Sequence, residues 1–390
     1  MIKAIKVKLY PTKQQEELMF KSANIARFSY NWGLAFLNKY YEEHNKSLSI
    51  GELRKEFTKL RNDSEYSWLK EVSSEIPQQA LKDLGESFKK FFNKQSSYPR
   101  FKKKGRCETS FYHLGNKFVV GGGKVRLEKI GYVKMKDEGR LLIGNYKKDK
   151  IKVLNPRVKF NGKFWYLSLA LEVEDVVKEE LTNVSVGIDL GLKNLAIVSN
   201  IDKPFKNINK SKEVKRLNKK LKRLQRKVSR KYDMLKSESC FKKGERLTKT
   251  KNIIKCEKQI KLVHKRIADI RLNYIHQTTN TIVKTKPCRI VVEDLNVKNL
   301  MKNKHLSKAI AEQCFNKFIT ILEYKCKWRG IEFVKADRFF PSSKMCSCCG
   351  TIKKDLTLKD RTYICSNPKC NLVIDRDKNA SINLANYKLA

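Results

Sequence analysis

Nowhere do the 390 residues contain a run of about eighteen uncharged apolar residues, so no membrane span is expected. No apolar leader opens the chain either. Met1-Ile2-Lys3-Ala4-Ile5-Lys6-Val7-Lys8 alternates lysine with aliphatic side chains and reads as a strand. The eleven cysteines are odd in number and unevenly spread, which argues against a disulfide framework. These absences predict a cytoplasmic protein. Histidine is scarce as well: the five present cluster neither with each other nor with carboxylates, which disfavours a histidine base or nucleophile. Acid is the shortage with the largest consequence. Against 86 Lys and Arg stand only 40 Asp and Glu, a net charge of +46. Such a chain repels itself unless a polyanion neutralises it, and a merely solvated lysine-rich surface would carry more acid. Nucleic acid is the expected partner, with binding that weakens steeply as salt rises.

What is present is enough for real cores: 41% of residues are apolar, and the length suits two to three domains of about 150 residues. After the strand at 2–9 and Pro11, Thr12 and Gln15 have capping-box spacing and start a helix carrying Phe20, Ile25, Phe28 and Trp32. A second helix starts near Pro77, with Leu81, Leu84, Phe88 and Phe91 on one buried face. Tyr98-Pro99-Arg100-Phe101-Lys102-Lys103-Lys104-Gly105-Arg106 then interleaves cations with aromatics, as phosphate contact plus base stacking requires. The expected nucleic-acid contacts are Arg100, Lys102, Lys103, Lys104 and Arg106.

Hairpin signals follow. Phe118-Val119-Val120 and Val125-Arg126-Leu127 flank three glycines, and Asn161-Gly162 separates Val158–Phe160 from Phe164–Leu171. Short strands are predicted at 184–188 and 195–198. Apolar residues then step by three and four from Val214 to Val228 and from Ile253 to Tyr274, the seam of an antiparallel helical hairpin with a loop at 229–250. A strand at 289–294, a helix over about 307–329 and a strand at 331–336 complete this part.

Three acidic residues sit beside such hydrophobic runs: Asp189 in Val186-Gly187-Ile188-Asp189-Leu190-Gly191, Glu293 in Ile290-Val291-Val292-Glu293-Asp294-Leu295, and Asp377 in Asp375-Arg376-Asp377-Lys378-Asn379-Ala380-Ser381. Together they suggest one metal-dependent site. Carboxylate oxygens suit a hard ion such as magnesium. Strand alternation puts Glu293 on the face of Val291 and turns Asp294 away. Each acid also has an ordinary structural role open to it: Asp189 as a turn residue, Glu293 as an ion-pair partner, Asp377 as a helix cap. Asp375, two residues away, competes with Asp377, and Asp337 is an outside candidate. Cys346-x-x-Cys349 and Cys365-x4-Cys370 supply four thiolates, as a structural zinc ribbon needs, with Cys348 a rival ligand inside the first pair.

This layout resembles the TnpB (OrfB) family, transposon-encoded RNA-guided nucleases related to type V CRISPR effectors. The resemblance implies an α/β fold: an RNase H-like (RuvC) nuclease domain at 181–340 and 375–390, with an inserted helical hairpin and a zinc ribbon at 341–374. It adds an N-terminal β-barrel-like, wedge-like domain at 1–10 and 98–180 that binds guide RNA and target duplex, carrying a helical recognition insertion at 11–97. By resemblance Asp189, Glu293 and Asp377 are the catalytic acids. They would hold Mg2+, two ions about 4 Å apart, while Cys346, Cys349, Cys365 and Cys370 hold Zn2+. The family's second knuckle is often tighter than Cys365-x4-Cys370. The implied partners are a guide RNA from the transposon end and double-stranded DNA, with no membrane. The implied activity is cutting of both strands beside a short transposon-adjacent motif by a single RuvC-like site. A cut-and-join transposase would use the same acidic ligands, and a nuclease-inactive guided repressor would share the fold but lack a carboxylate.

Overall fold

The computed structural model describes residues 2–117, 119–136, 152–172, 180–238, 248–357 and 359–388, and the chain divides into two units, 1–174 and 175–390. In the first, strand β1 (Ile2–Tyr10) leads into helices α1 (Lys13–His44), α2 (Ile50–Asn62) and α3 (Glu75–Phe92). Then come β2 (Thr109–Tyr112), β3 (Val119–Gly121), β4 (Lys124–Leu127), β5 (Gly131–Lys136), β6 (Lys152–Phe160) and β7 (Trp165–Glu172). All seven strands join one antiparallel sheet in the order β2-β6-β7-β1-β5-β4-β3. The first strand therefore pairs with partners more than a hundred residues away, and the three helices are an insertion between sheet strands.

The capping box at Thr12 and Gln15 is formed on both sides, and α1 runs on well past Trp32 to His44. Helix α2, absent from the expected elements, starts at a Ser49–Glu52 capping box and buries Leu53 and Phe57, with Ile50 and Leu60 packed beside them. The Asn161-Gly162 turn holds, with Gly162 at φ 93° and the Asn161 side chain accepting from the Lys163 and Phe164 amides. Phe118 lies outside the described residues.

The second unit carries β8 (Thr182–Leu190), β9 (Asn194–Val198) and β10 (Phe205–Lys206), then the long helices α4 (Lys212–Glu238) and α5 (Lys251–Lys284). Next are β11 (Pro287–Glu293), α6 (Val297–Leu300), α7 (Ser307–Gln313), α8 (Phe315–Arg329) and β12 (Glu332–Ala336), and last β13 (Thr362–Ile364), β14 (Val373–Asp375) and α9 (Arg376–Ala385). The sheet order is β10-β9-β8-β11-β12, antiparallel among the first three and parallel from β8 onward.

The hairpin seam is where periodicity puts it: Val214, Leu217, Leu221 and Leu224 of α4 meet Val263, Ile267 and Ile270 of α5. The predicted 229–250 loop is too long. Helix α4 continues to Glu238, its stripe carried on by Tyr232, whose hydroxyl donates to Glu257 of α5 at 2.7 Å. The rest of that predicted loop, 239–247, lies outside the described residues, as does Cys240. The predicted helix over 307–329 is two helices, broken at Cys314 in the left-handed region (φ 56°). Beside the break, buried Gln313 donates to the Gly191 carbonyl at 2.8 Å.

The two faces of the sheet are packed differently. Ile188, Ile290 and Val292 join the core built with α5 and α8, whereas Val291, Val334 and Ala336 pack with Leu384 of α9. Gly187 lies on this second face, and α9 presses onto it: a Cβ there would stand 2.0 Å from the Ser381 carbonyl and 2.3 Å from the Ala385 nitrogen. Only a residue without a side chain allows this approach. Gly187→Ala should therefore force α9 off the sheet at a cost of about 3 kcal/mol, lowering the melting temperature of this unit by about 6–12 °C; thermal unfolding checks it.

Candidate active site and cysteine cage

Helix α9 is pinned along its length. At its start the Lys378 ammonium donates to the carbonyls of Val198, Ser199 and Ile201 at 2.9–3.2 Å, just past the end of β9. At its end Arg289 and the Ser185 hydroxyl donate to the Ala385 carbonyl at 3.2 and 2.7 Å, a cation where the helix dipole is negative. Asp377, Ser381, Leu384 and Ala385 share the helix face that covers Gly187, at spacings of four, three and one.

That packing brings the three predicted acids together. Asp189 follows Gly187 by two residues on the same face of β8. The parallel register pairs Val291 with Gly187 and Val292 with Ile188, so Glu293 comes next to Asp189 at the carboxyl ends of these two interior strands. Asp377 occupies the first turn of α9 above them. Loss of water around the Asp189 carboxyl, followed by the negative charges of Glu293 and Asp377, pushes its pKa well above the ordinary carboxylate range. The Arg376 guanidinium offsets part of this.

Two acids are sorted by their hydrogen bonds. Asp377 is inside the helix rather than before it, and Asp375 is the N-cap, accepting from the Asp377 and Lys378 amides at 3.0 and 3.1 Å. The cap is thus filled by the neighbour, leaving Asp377 to the cleft, where Arg376 donates to its Oδ1 at 2.9 and 3.1 Å. The Ser342 hydroxyl donates to Glu293 Oε1, while Asp294 pairs with Arg338 instead. Asp337 lines a cavity of about 390 Å3 with Glu293 and Asp294, but its carboxylate accepts from the Phe339 amide in a turn.

The cysteines form one cage. The sulfurs of Cys346, Cys349, Cys365 and Cys370 lie within 4.8 Å of one another, with Cys346–Cys370 at 3.7 Å and Cys349–Cys365 at 3.5 Å. A tetrahedron with zinc–sulfur bonds of about 2.3 Å has edges of about 3.8 Å, so the four sulfurs fit zinc. The wide second knuckle closes because Asn367 folds it: its side chain accepts from the Lys369 amide, and its carbonyl from the Cys370 amide. Cys348 is exposed and outside the cluster. Strand β14 runs from the cage directly into α9.

Of the predicted nucleic-acid residues, Arg100, Lys103, Lys104 and Arg106 are exposed. Lys102 is turned into the protein: its ammonium lies 3.7 Å from the Tyr30 ring centroid, its backbone bonds to the Asn31 side chain, and burial lowers its pKa. Sequence reasoning missed Ser342, Arg376, Lys378, Asn379 and Asn383. The last two carried a signal, standing four apart and so on one face of the terminal helix.

Sheet, cage and acidic cleft define a mixed α/β protein whose cysteine cage fits zinc. Family profiles match residues 1–46 ("Helix-turn-helix domain" of OrfB), 168–304 ("Probable transposase", OrfB) and 315–384 ("Cas12f1-like, TNB domain"). The first of these covers β1 and α1. A "Putative RNA-guided DNA endonuclease" of Streptomyces pristinaespiralis is 32% identical over 388 residues, covering 100% of this chain and 90% of that protein. InsQ of Escherichia coli K12, described in the same words, is 29% identical over 407 residues, covering 100% and 92%. A Cas12f1 chain from a complex with sgRNA and target DNA superposes with TM-score 0.59 at 14% identity, over 99% of this chain and 98% of that one. The chain belongs to the TnpB (OrfB) family.

Two outcomes test this geometry. Cys370→Ser should abolish stoichiometric zinc, whereas Cys348→Ser should keep one zinc per chain, by elemental analysis of purified protein. In magnesium-free buffer the raised Asp189 carboxyl means that folded protein holds its proton to higher pH than unfolded chain. Stability therefore falls as pH rises from the ordinary carboxylate range through the raised value. Asp189→Asn should flatten that slope and raise the melting temperature at pH 7, by about 2–4 °C for each kcal/mol of repulsion relieved.

Proposed function

We propose that the protein is an RNA-guided, magnesium-dependent DNA endonuclease of a transposable element, with Asp189, Glu293 and Asp377 as its catalytic acids. The observation that carries this reading is their convergence, from three distant segments, at the carboxyl ends of β8 and β11 beneath the first turn of α9. Three antiparallel strands followed by two parallel ones, with the last acid on a helix against the same face, support an RNase H-like (RuvC) assignment. The relatives' descriptions as RNA-guided DNA endonucleases support the activity.

Bound there, magnesium would activate a water and stabilise the leaving oxygen of a phosphodiester. The chain's own residues supply the cradle. Asp189, Glu293 and Asp377 would hold the ions, while Ser342 fixes the Glu293 carboxylate and Arg376 fixes Asp377. Zinc in the cysteine cage does no chemistry and stiffens the neighbouring module.

The first unit is the guide and target binder. Its sheet joins β1 to β2–β7 across an inserted helical segment, which supports a wedge-like domain at 1–10 and 98–180 with an insertion at 11–97. Arg100, Lys103, Lys104 and Arg106 contact the nucleic-acid backbone, and Lys102 buttresses their loop. The guide derives from the transposon end, a short adjacent motif is read on the duplex, and base pairing reads the remainder. All three acids are present, against a nuclease-inactive repressor.

With its co-purified RNA, the protein should linearise a plasmid carrying the guide-matched target in Mg2+. Asp189→Ala should bind the same target but cut at least about a thousandfold more slowly, the equivalent of about 4 kcal/mol at the barrier. Joined products in place of free ends would favour cut-and-join transposition, and cutting indifferent to the guide would sink the proposal.

A further inference from the structure

Helix α9 has a second buried face, turned away from the sheet. Asn379 is fully buried: its Nδ2 donates to the Met345 carbonyl at 2.7 Å, and its Oδ1 accepts from the Ser347 amide at 2.9 Å. These two backbone groups flank Cys346, the buried ligand of the first knuckle. One turn on, Asn383 is 2% exposed and donates to the carbonyls of Met345 and Ser342 at 2.6 and 2.7 Å. Ser342 in turn holds Glu293. A side-chain amide is the group for this task, because it offers donors and an acceptor without charge. Leucine would orphan the knuckle's backbone groups, and aspartate would face the Met345 carbonyl with an oxygen.

We infer that Asn379 and Asn383 are positioning residues that couple the cysteine cage to the carboxylate site. They lock α9, and with it Asp377, to the backbone of the first knuckle; through Ser342 the same lock reaches Glu293. Order in the cage thereby sets the separation of two acids that come from different parts of the chain. The coupling within α9 follows from the contacts above; its consequence for metal binding rests on the reading of Asp189, Glu293 and Asp377 as magnesium ligands.

The test is amide hydrogen exchange of residues 376–385 in the full-length protein, zinc-loaded and zinc-stripped, with Mn2+ affinity measured beside it. In the native protein, stripping zinc should speed α9 exchange about tenfold, the size of one lost buried hydrogen bond. Asn379→Asp should keep one zinc per chain, show the faster exchange already when loaded, gain little more on stripping, and bind Mn2+ about tenfold more weakly. Native α9 exchange that ignores zinc would overturn the inference, and so would Asn379→Asp with native exchange and native Mn2+ affinity. Loss of zinc from Asn379→Asp would also overturn it, by making the asparagine a support of the cage alone. An Asp189→Ala protein that binds Mn2+ as well as native would refute the magnesium-site reading instead, leaving the coupling to be judged on exchange.

Discussion

The close approach of α9 to Gly187 is the constraint on which the site depends. A helix normally stands off a sheet by the thickness of its side chains. Here the helix backbone reaches the strand, because residue 187 has no side chain to hold it away. The consequence appears two residues further along the strand, where Asp189 meets the first turn of that helix. Glu293 is added by parallel pairing in register. Each contact is ordinary; their sum sets two further negative charges beside the desolvated Asp189 carboxyl. Burial and repulsion keep Asp189 reluctant to ionise, and Arg376 relieves only part of the strain. Such a cluster is costly to the fold, and on the proposed reading a divalent cation would turn the repulsion into binding.

On the proposed reading the two sites divide by ligand softness. Thiolates that close a tetrahedron leave no position for substrate, whereas carboxylates at the strand ends would leave room for water and phosphate. They are neighbours through one short segment, since β14 leaves the cage and becomes α9 without a linker. The asparagine face of α9 and its aspartate face therefore serve different sites from a single rigid element. Lys378 and Arg289 fix that element at its two ends, so little freedom is left for the cleft to open from this side.

Much of this was legible in the sequence because it rests on local rules. Capping spacing gave the start of α1, and alternation put Glu293 on the face of Val291. Steps of three and four drew the α4–α5 seam, and cysteine spacing gave the cage. Helix α2 also left a local signal, with Ile50, Leu53, Phe57 and Leu60 at steps of three, four and three behind a Ser49–Glu52 capping box. What escaped was set by distant partners. The break at Cys314 has no proline or glycine to announce it. The extension of α4 beyond Val228 relies on Tyr232, which reads as polar or apolar until Glu257 is seen beside it. Asp375 and Asp377 could not be told apart by position; the helix boundary decides between them, and boundaries are weakly encoded. Lys102 looked like its neighbours, and only the Tyr30 ring and the Asn31 amide show that it faces inward.

The account stands or falls on whether the three acids form one metal site. Crystals of the protein grown with Mn2+ and measured at the manganese absorption edge test this directly. Anomalous density bounded by Asp189, Glu293 and Asp377, absent from an Asp189→Ala crystal grown alike, is the predicted result. Manganese bound elsewhere, or unchanged in the variant, would contradict it.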